Sequence, residues 1–287
     1  KAGHEARERT PIASLGTYTS GSDRPDPLTL LESQSESRVP FLVPVRYGRM
    51  LVSPFTFYRG AALIMASDLS SGPRTDLQAQ LCGDAHLANF GGFATPERRL
   101  IFDINDFDET NPGPFEWDVK RLAASMEVAA RDHGFKKKER AEIVRSTAEA
   151  YRTTMAELAT QGRLDVWYAT LDMDATLDKY RAEMKADELK RTGATIAKAR
   201  TRTSLQAANK LTTVVNGQRR FIDNPPVVER AETLLGNAHF DMAAVAAALQ
   251  QSWADYVASL QPDRRVLLRD RKSTRLNSSH ANISYAV

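Results

Sequence analysis

The apolar residues change period between Asp76 and Asp108, and no other feature limits the fold so strongly. Leu77, Ala79 and Leu81 alternate with polar neighbours, and Leu100 to Ile104 is a short apolar run bounded by charge. Alternation at every second residue marks a half-buried strand, so two strands are expected here. Each ends in acids and polar residues, Gly83-Asp84-Ala85-His86 after the first and Asn105-Asp106-Phe107-Asp108-Glu109 after the second. Strand ends and the loops beyond them are where a rigid scaffold presents chemistry.

On both sides of this stretch the period is helical. Upstream, Leu30, Leu31, Phe55, Phe57, Tyr58, Ala61, Ala62, Ile64 and Met65 fall at helical spacing, interrupted by Pro40, Pro44 and Pro54. That predicts two or three short helices between Leu28 and Ser71. Downstream of Phe115, helices are expected over Trp117 to Asp132 and Lys136 to Thr160, after Leu164, after Leu177, near Val227 to Leu235 and over Met242 to Leu260. Thr212 to Ile222 breaks the pattern, because Asn216-Gly217 between two strand-like runs signals a hairpin. The expected fold is therefore α+β and mostly helical, with a small β element carrying the polar loops.

Residues 1–27, rich in Gly, Ser, Pro and charge, read as a flexible N-terminal arm, and residues 28–268 as one catalytic domain. The polar stretch 269–287 shows no amphipathic period and resembles translated sequencing adapter, which predicts a non-native tail. The chain opens without an initiator Met, which suggests a start inside a longer reading frame or after processing.

At 287 residues and 42% hydrophobic content the chain can bury a full core. Lys plus Arg number 39 against 36 Asp plus Glu, a balance of +3 that is too even to point to nucleic acid or an anionic membrane. The basic run Lys185 to Arg202 reads as a solvated helix face. Cys82 is the single cysteine, so no intrachain disulfide can form and a reducing, cytoplasmic setting is expected. No apolar run approaches the roughly 20 residues of a membrane span, and Lys1 to Asp26 lacks the apolar core of a signal peptide.

The chemistry concentrates in three polar stations: Cys82 to Asn89, Asp103 to Asp108, and Trp117 to Leu122. Carboxylates packed this densely repel one another unless a cation or donors lie among them, and magnesium is the leading candidate. Protein kinases place a catalytic Asp five residues before an Asn, with a second metal-binding Asp on the next strand pair. Asp84 and Asn89 have that spacing, and Asp106-Phe107-Asp108 stands where the second element belongs.

Gly83 to Asn89 reads Gly-Asp-x-His-x-x-Asn and so resembles the catalytic loop of the aminoglycoside and choline kinase branch, with His86 on that branch's histidine. The resemblance implies Asp84 as base and Asn89 and Asp106 on magnesium; Asp103 and Asp108 flank Asp106, each a second metal ligand or simply a capping or turn residue. It also implies that Asp118, a dozen residues beyond Asp106, starts a helix and braces the catalytic loop. Arg46, Arg49 and Arg59 lie in an otherwise apolar helical stretch, where they pair with acids or reach a nucleotide phosphate; Arg46 and Arg59 are the nucleotide-binding candidates.

Longer stretches, RVPFLVPVRYGRM, SPFTFYRGAA, QLCGDAHLANFG, FDINDFDET and GPFEWDVKRLA, resemble the bacterial domain-of-unknown-function family 2252, from about Asp26 to about Leu268. That resemblance implies a kinase-like fold in permuted order, with a glycine-rich segment and a Lys-bearing strand after the catalytic loops. The chain is expected to stop where that segment begins, so that its nucleotide lobe is missing and ATP binds weakly. Micromolar ATP affinity in a calorimetric titration contradicts this. The expected activity of the family is transfer of a phosphoryl group from ATP, with Mg2+, to a hydroxyl of a small-molecule acceptor. A metal-dependent phosphoesterase built on Asp84, His86, Asp103, Asp106 and Asp108 is the alternative, and a pseudokinase-like binding module is the third reading.

Overall fold

A computed structural model of the chain describes residues 2–95, 97, 99–201, 204–225, 228, 241–262 and 265. Contacts divide the chain into two compact units, Lys1–Arg200 and Thr201–Val287. The division falls inside what the sequence presents as one domain.

The first unit begins with five helices: α1 (Ala2–Arg9), α2 (Pro27–Ser35), α3 (Val43–Met50), α4 (Pro54–Arg59) and α5 (Ala62–Ser70). Residues 1–27 therefore differ from the expected arm. Helix α1 carries Glu5 in its first turn and Arg7 and Arg9 in its last, as the helix dipole favours. Ala6 is buried, Arg9 pairs with Asp76 at 3.1 Å, and Arg24 holds Asp68 through two hydrogen bonds. The prolines expected to interrupt this region instead start its helices. Pro40 opens a short 3-10 turn, and Pro44 and Pro54, like Pro27 upstream, occupy first-turn positions of their helices, where a missing N–H costs nothing. Asp26 caps α2 by accepting from Thr29 N, and Ser53 and Thr56 form a reciprocal capping box on α4.

Four strands follow, twice the number expected. Strand β1 (Gln78–Leu81) pairs antiparallel with β4 (Asn111–Pro114), and β2 (Phe90–Ala94) pairs antiparallel with β3 (Leu100–Ile104). The β1–β4 register sets Leu81 opposite Asn111 and Gln78 opposite Pro114, so that the polar loops after Leu81 and before Asn111 leave the ladder side by side. Helix α6 (Glu116–Asp132) leaves directly from β4 and packs on α7 (Lys137–Leu158) through a turn in which Gly134 takes φ +75°. Helices α8 (Arg163–Trp167), α9 (Met173–Tyr180) and α10 (Ala186–Thr201) complete the unit.

In the second unit, α11 (Ser204–Leu211) runs into the hairpin β5 (Thr212–Val215) and β6 (Gln218–Phe221). Its turn is the Asn-Gly pair, with φ 51° at Asn216 and 76° at Gly217, the left-handed values a tight hairpin needs. Helix α12 (Met242–Ser259) matches the last expected helix. Of the helix expected near Val227 to Leu235 only Val228 is described, in an antiparallel bridge to Asn224, and the tail 269–287 lies outside the described residues. The described structure is mostly helical with small two-stranded sheets, as the α+β reading expects. No helix among the described residues is long and apolar enough to cross a membrane.

Candidate active site

Helix α6 carries a polar stripe at the spacing a helix normally reserves for apolar residues: Asp118, Arg121 and Ser125. Each holds a successive part of the loop after β1. The Asp118 carboxylate accepts from Cys82 N at 2.7 Å and Gly83 N at 3.1 Å. Arg121 Nε donates to Asp84 Oδ1 at 2.7 Å, with Nη2 2.5 Å from the same oxygen. Ser125, fully buried, accepts from Leu87 N at 2.9 Å and donates to Leu122 O. Residues at i, i+3 and i+7 share one helix face, so a straight helix can clamp a loop at three stations.

The helix is itself pinned at its start. Glu116, buried, accepts from Thr75 N at 2.5 Å and from Thr75 Oγ1 at 2.8 Å just before β1. Gly83 lets the loop turn: its φ is +83°, and a Cβ there would lie 2.0 Å from the Glu109 carbonyl oxygen. Only glycine fits both the conformation and the approach of the second loop.

The second loop is locked to the first by Asn89. This buried side chain donates to Asp84 O at 3.0 Å and Asp106 O at 3.1 Å, and its Oδ1 accepts from Asp106 N at 2.9 Å. The backbone adds Asn105 N to Asn89 O at 2.8 Å. Asn89 thus spends its donors on the backbone and keeps one lone pair on Oδ1. Asp106 Oδ1 accepts from Asp108 N at 3.3 Å. Partial burial and the Asp106 carboxylate push the Asp108 carboxyl above the usual range, with Asp84 adding to the effect. Burial, followed by Asp84 and Asp108, raises Glu109 as well. These directions record burial first and neighbouring carboxylates second, in one small region. Asp103 instead points its Oδ1 at Ile104 N, 2.8 Å away, a local contact at the end of β3.

His86 is buried, with Nε2 3.4 Å from Asp84 Oδ2 and Nδ1 without a partner. Burial, aided by Arg59 and Arg121, lowers its pKa despite the Asp84 carboxylate, so the ring is neutral at pH 7. Arg59 stands exposed at the end of α4. Arg46 is buried and spends Nη2 on Gln34 Oε1 at 3.0 Å and Gly60 O at 2.7 Å, tying α2 to the α4–α5 junction. Burial lowers its pKa too. The structure therefore brings Asp84, His86, Asn89, Asp106, Asp108 and Asp118 together and gives Arg46 a packing role. Among the described residues, no three His, Cys, Asp or Glu side chains are grouped so that they could hold a metal ion by themselves.

Arg121 is the important residue that motif reading passed over. It is almost fully buried, donates to Tyr58 O at 3.0 Å, and stacks its guanidinium 4.5 Å from the centre of the Tyr58 ring. Tyr58 OH donates in turn to Arg121 O at 2.8 Å, and burial pushes the phenol up to about 12. A signal existed: polar residues at 118, 121 and 125 occupy the inward stripe of a helix that packs on its neighbours.

The fold and site define an α+β, mostly helical protein in which one acidic loop is clamped on a helix and locked to a second acidic loop by Asn89. The chain belongs to the DUF2252 family, described as uncharacterized protein conserved in bacteria, whose profile matches residues 38–275. No curated protein and no solved structure matches the chain.

Proposed function

We propose that these loops form the catalytic half-site of a kinase-like phosphotransferase, which moves a phosphoryl group from a nucleoside triphosphate to a hydroxyl of a small molecule. The observation that supports this reading is the Asn89 cross-link. One amide binds Asp84 O, Asp106 O and Asp106 N, so the two acidic loops move as one body. Phosphoryl transfer is catalysed largely by positioning and charge stabilisation, and it needs such rigid juxtaposition.

Asp84 takes the role of base. Arg121 fixes its Oδ1, which leaves Oδ2 to accept the proton of an acceptor hydroxyl. Neutral His86 supports that oxygen, and Asp118 holds the loop backbone. Asp106 and Asp108, with the free lone pair of Asn89 Oδ1, are the residues that would hold magnesium, whose charge would offset that of the phosphates. Magnesium commonly takes only one or two protein carboxylates, with waters and substrate phosphates completing its shell, and this donor set meets that need. Exposed Arg59 is a cation available to a phosphate.

The phosphoesterase alternative is less well supported. It needs Asp84, Asp103 and His86 as metal ligands, yet Asp84 is engaged by Arg121, Asp103 by Ile104 N, and His86 Nε2 faces Asp84. The test is to place Asp84→Asn and Asp106→Asn in a family member that has these loops together with a glycine-rich segment and a Lys-bearing strand. Each substitution should lower ATP-dependent phosphate transfer by roughly 100-fold or more while unfolding stays cooperative. Full activity in either variant retires the proposal.

A further inference from the structure

Residues 161–171, the segment that carries helix α8, are all exposed, and no residue of the helix is buried. Its apolar side chains nevertheless keep the spacing of a face made to be covered. Leu164, Trp167 and Tyr168 stand at i, i+3 and i+4, with Leu171 at i+7. They are 72%, 81%, 74% and 52% exposed, in that order. Single exposed apolar residues are ordinary, but a cluster of this kind on one segment is not. A helix of five residues gains too little from its own hydrogen bonds to hold such a face in water. The segment is fixed from behind instead. Phe102 N donates to Leu171 O at 2.8 Å, and Ile101 and Asp172 form an antiparallel bridge. Arg99 Nη2 donates to Thr170 Oγ1 at 3.3 Å and to Asp172 Oδ2 at 3.2 Å. This pairing sets Leu171 opposite exposed Phe102, so the apolar surface continues from α8 onto β3.

We infer that this face pairs two copies of the chain across a two-fold axis. Area and charge both favour a second copy over other partners. With about 200 Å² for each fully exposed side chain, the open fractions of these five residues amount to roughly 600 Å² per copy, or about 1,200 Å² in a pair, the low end of specific interfaces. The charges within the segment are Arg163 and Asp165, one of each sign on either side of Leu164. Neither enters an ion pair among the described residues, whereas Asp172 is paired with Arg99 and Asp174 with Arg200. An edge without net sign does not attract an anionic lipid, a nucleic acid or an acidic peptide. In an isologous contact the apolar face meets its own likeness, and each copy offers both signs to the other. A Trp and a Tyr at the centre, with charges at the edge, also match the anchors and polar rim of an interface. The inference is independent of the phosphotransferase reading.

The test is sedimentation equilibrium of the full chain from about 2 to 200 μM, a window set by the micromolar Kd expected of an interface this small. The expected result is a monomer–dimer equilibrium. Trp167→Ser and, as a second variant, Tyr168→Ser should each raise Kd at least about tenfold. Both residues stand largely in water, so both variants should keep the circular dichroism of the parent. Val52→Ser, at an exposed apolar residue just after α3, should leave Kd unchanged. A monomer at every concentration overturns the inference, as does a dimer that both Trp167→Ser and Tyr168→Ser leave intact. A monomer that sediments with phosphatidylserine and phosphatidylcholine vesicles, and loses them on Trp167→Ser, also overturns it and assigns the face to a lipid surface.

Discussion

Replacing Arg121 with Met leaves the stem of the side chain and removes its charge. The guanidinium is 3% exposed and its partner Asp84 is 19% exposed. Removing one partner of a buried pair typically costs about 3–5 kcal/mol, because the other charge is left without compensation. Asp84 keeps some access to water, so the lower end, about 3 kcal/mol, is expected for Arg121→Met. The loss includes the hydrogen bond to Tyr58 O and the stacking on the Tyr58 ring. In urea this lowers the unfolding midpoint by more than about 1 M, given slopes of about 1–3 kcal/mol per M. Asp84→Asn should cost somewhat less, since the amide oxygen still accepts from Arg121. The double variant should be more stable than the sum of the two losses implies, with a coupling of about 1–2 kcal/mol. An Arg121→Met protein within about 0.5 kcal/mol of the parent, or strictly additive losses, refutes the view that this pair anchors the Asp84 loop.

Gly83→Ala combines a left-handed backbone with a Cβ driven against the Glu109 carbonyl, and should destabilise by more than about 2 kcal/mol in the same denaturation assay. Asp118→Ala should speed amide hydrogen exchange at Cys82 and Gly83 at least about tenfold, measured by NMR, while exchange in the middle of α7 stays as it was. His86 has a folded pKa below its ordinary 6.5, so the unfolded chain binds the proton more readily and stability falls as pH drops through that value. His86→Gln should therefore lose less stability than the parent between pH 7 and 5, by urea midpoint; equal losses contradict this. Cys82 is buried, and burial pushes its thiol up to about 11, so Ellman's reagent at pH 8 should label the folded protein slowly and the unfolded protein at once.

What the sequence disclosed depended on how local the cause was. The β5–β6 hairpin was legible because Asn216 and Gly217 adopt the required φ with no help from the rest of the fold. Strand β4 was not, since Asn-Pro-Gly-Pro has the composition of a turn. It becomes an edge strand because β1 pairs with only one side of it, and prolines are tolerated on an edge. Phe90-Gly-Gly-Phe hid β2 in the same way. Helix α1 was missed because its anchors, such as Arg9 to Asp76, are distant in sequence.

The candidate site divides similarly. Gly83-Asp84, His86, Asn89, Asp106 and Asp118 could be picked out by spacing, because both loops follow recognisable strands. The Arg121–Asp84 pair spans 37 positions and has no local pattern, and the packing role of Arg46 depends on Gln34 and Gly60 from other helices. Division of the chain at Arg200 leaves no mark in the continuous charged helix α10.

Diffraction at the manganese absorption edge, from crystals grown with Mn2+ in place of Mg2+, asks directly whether the two loops share a cation. An anomalous peak within about 2.0–2.6 Å of the Asp106 carboxylate, with Asp108 or Asn89 Oδ1 among its neighbours, is the expected result. Full occupancy elsewhere with no density between the loops, or a peak unaffected by Asp106→Asn, contradicts a metal-assisted site built on residues 84, 89 and 106.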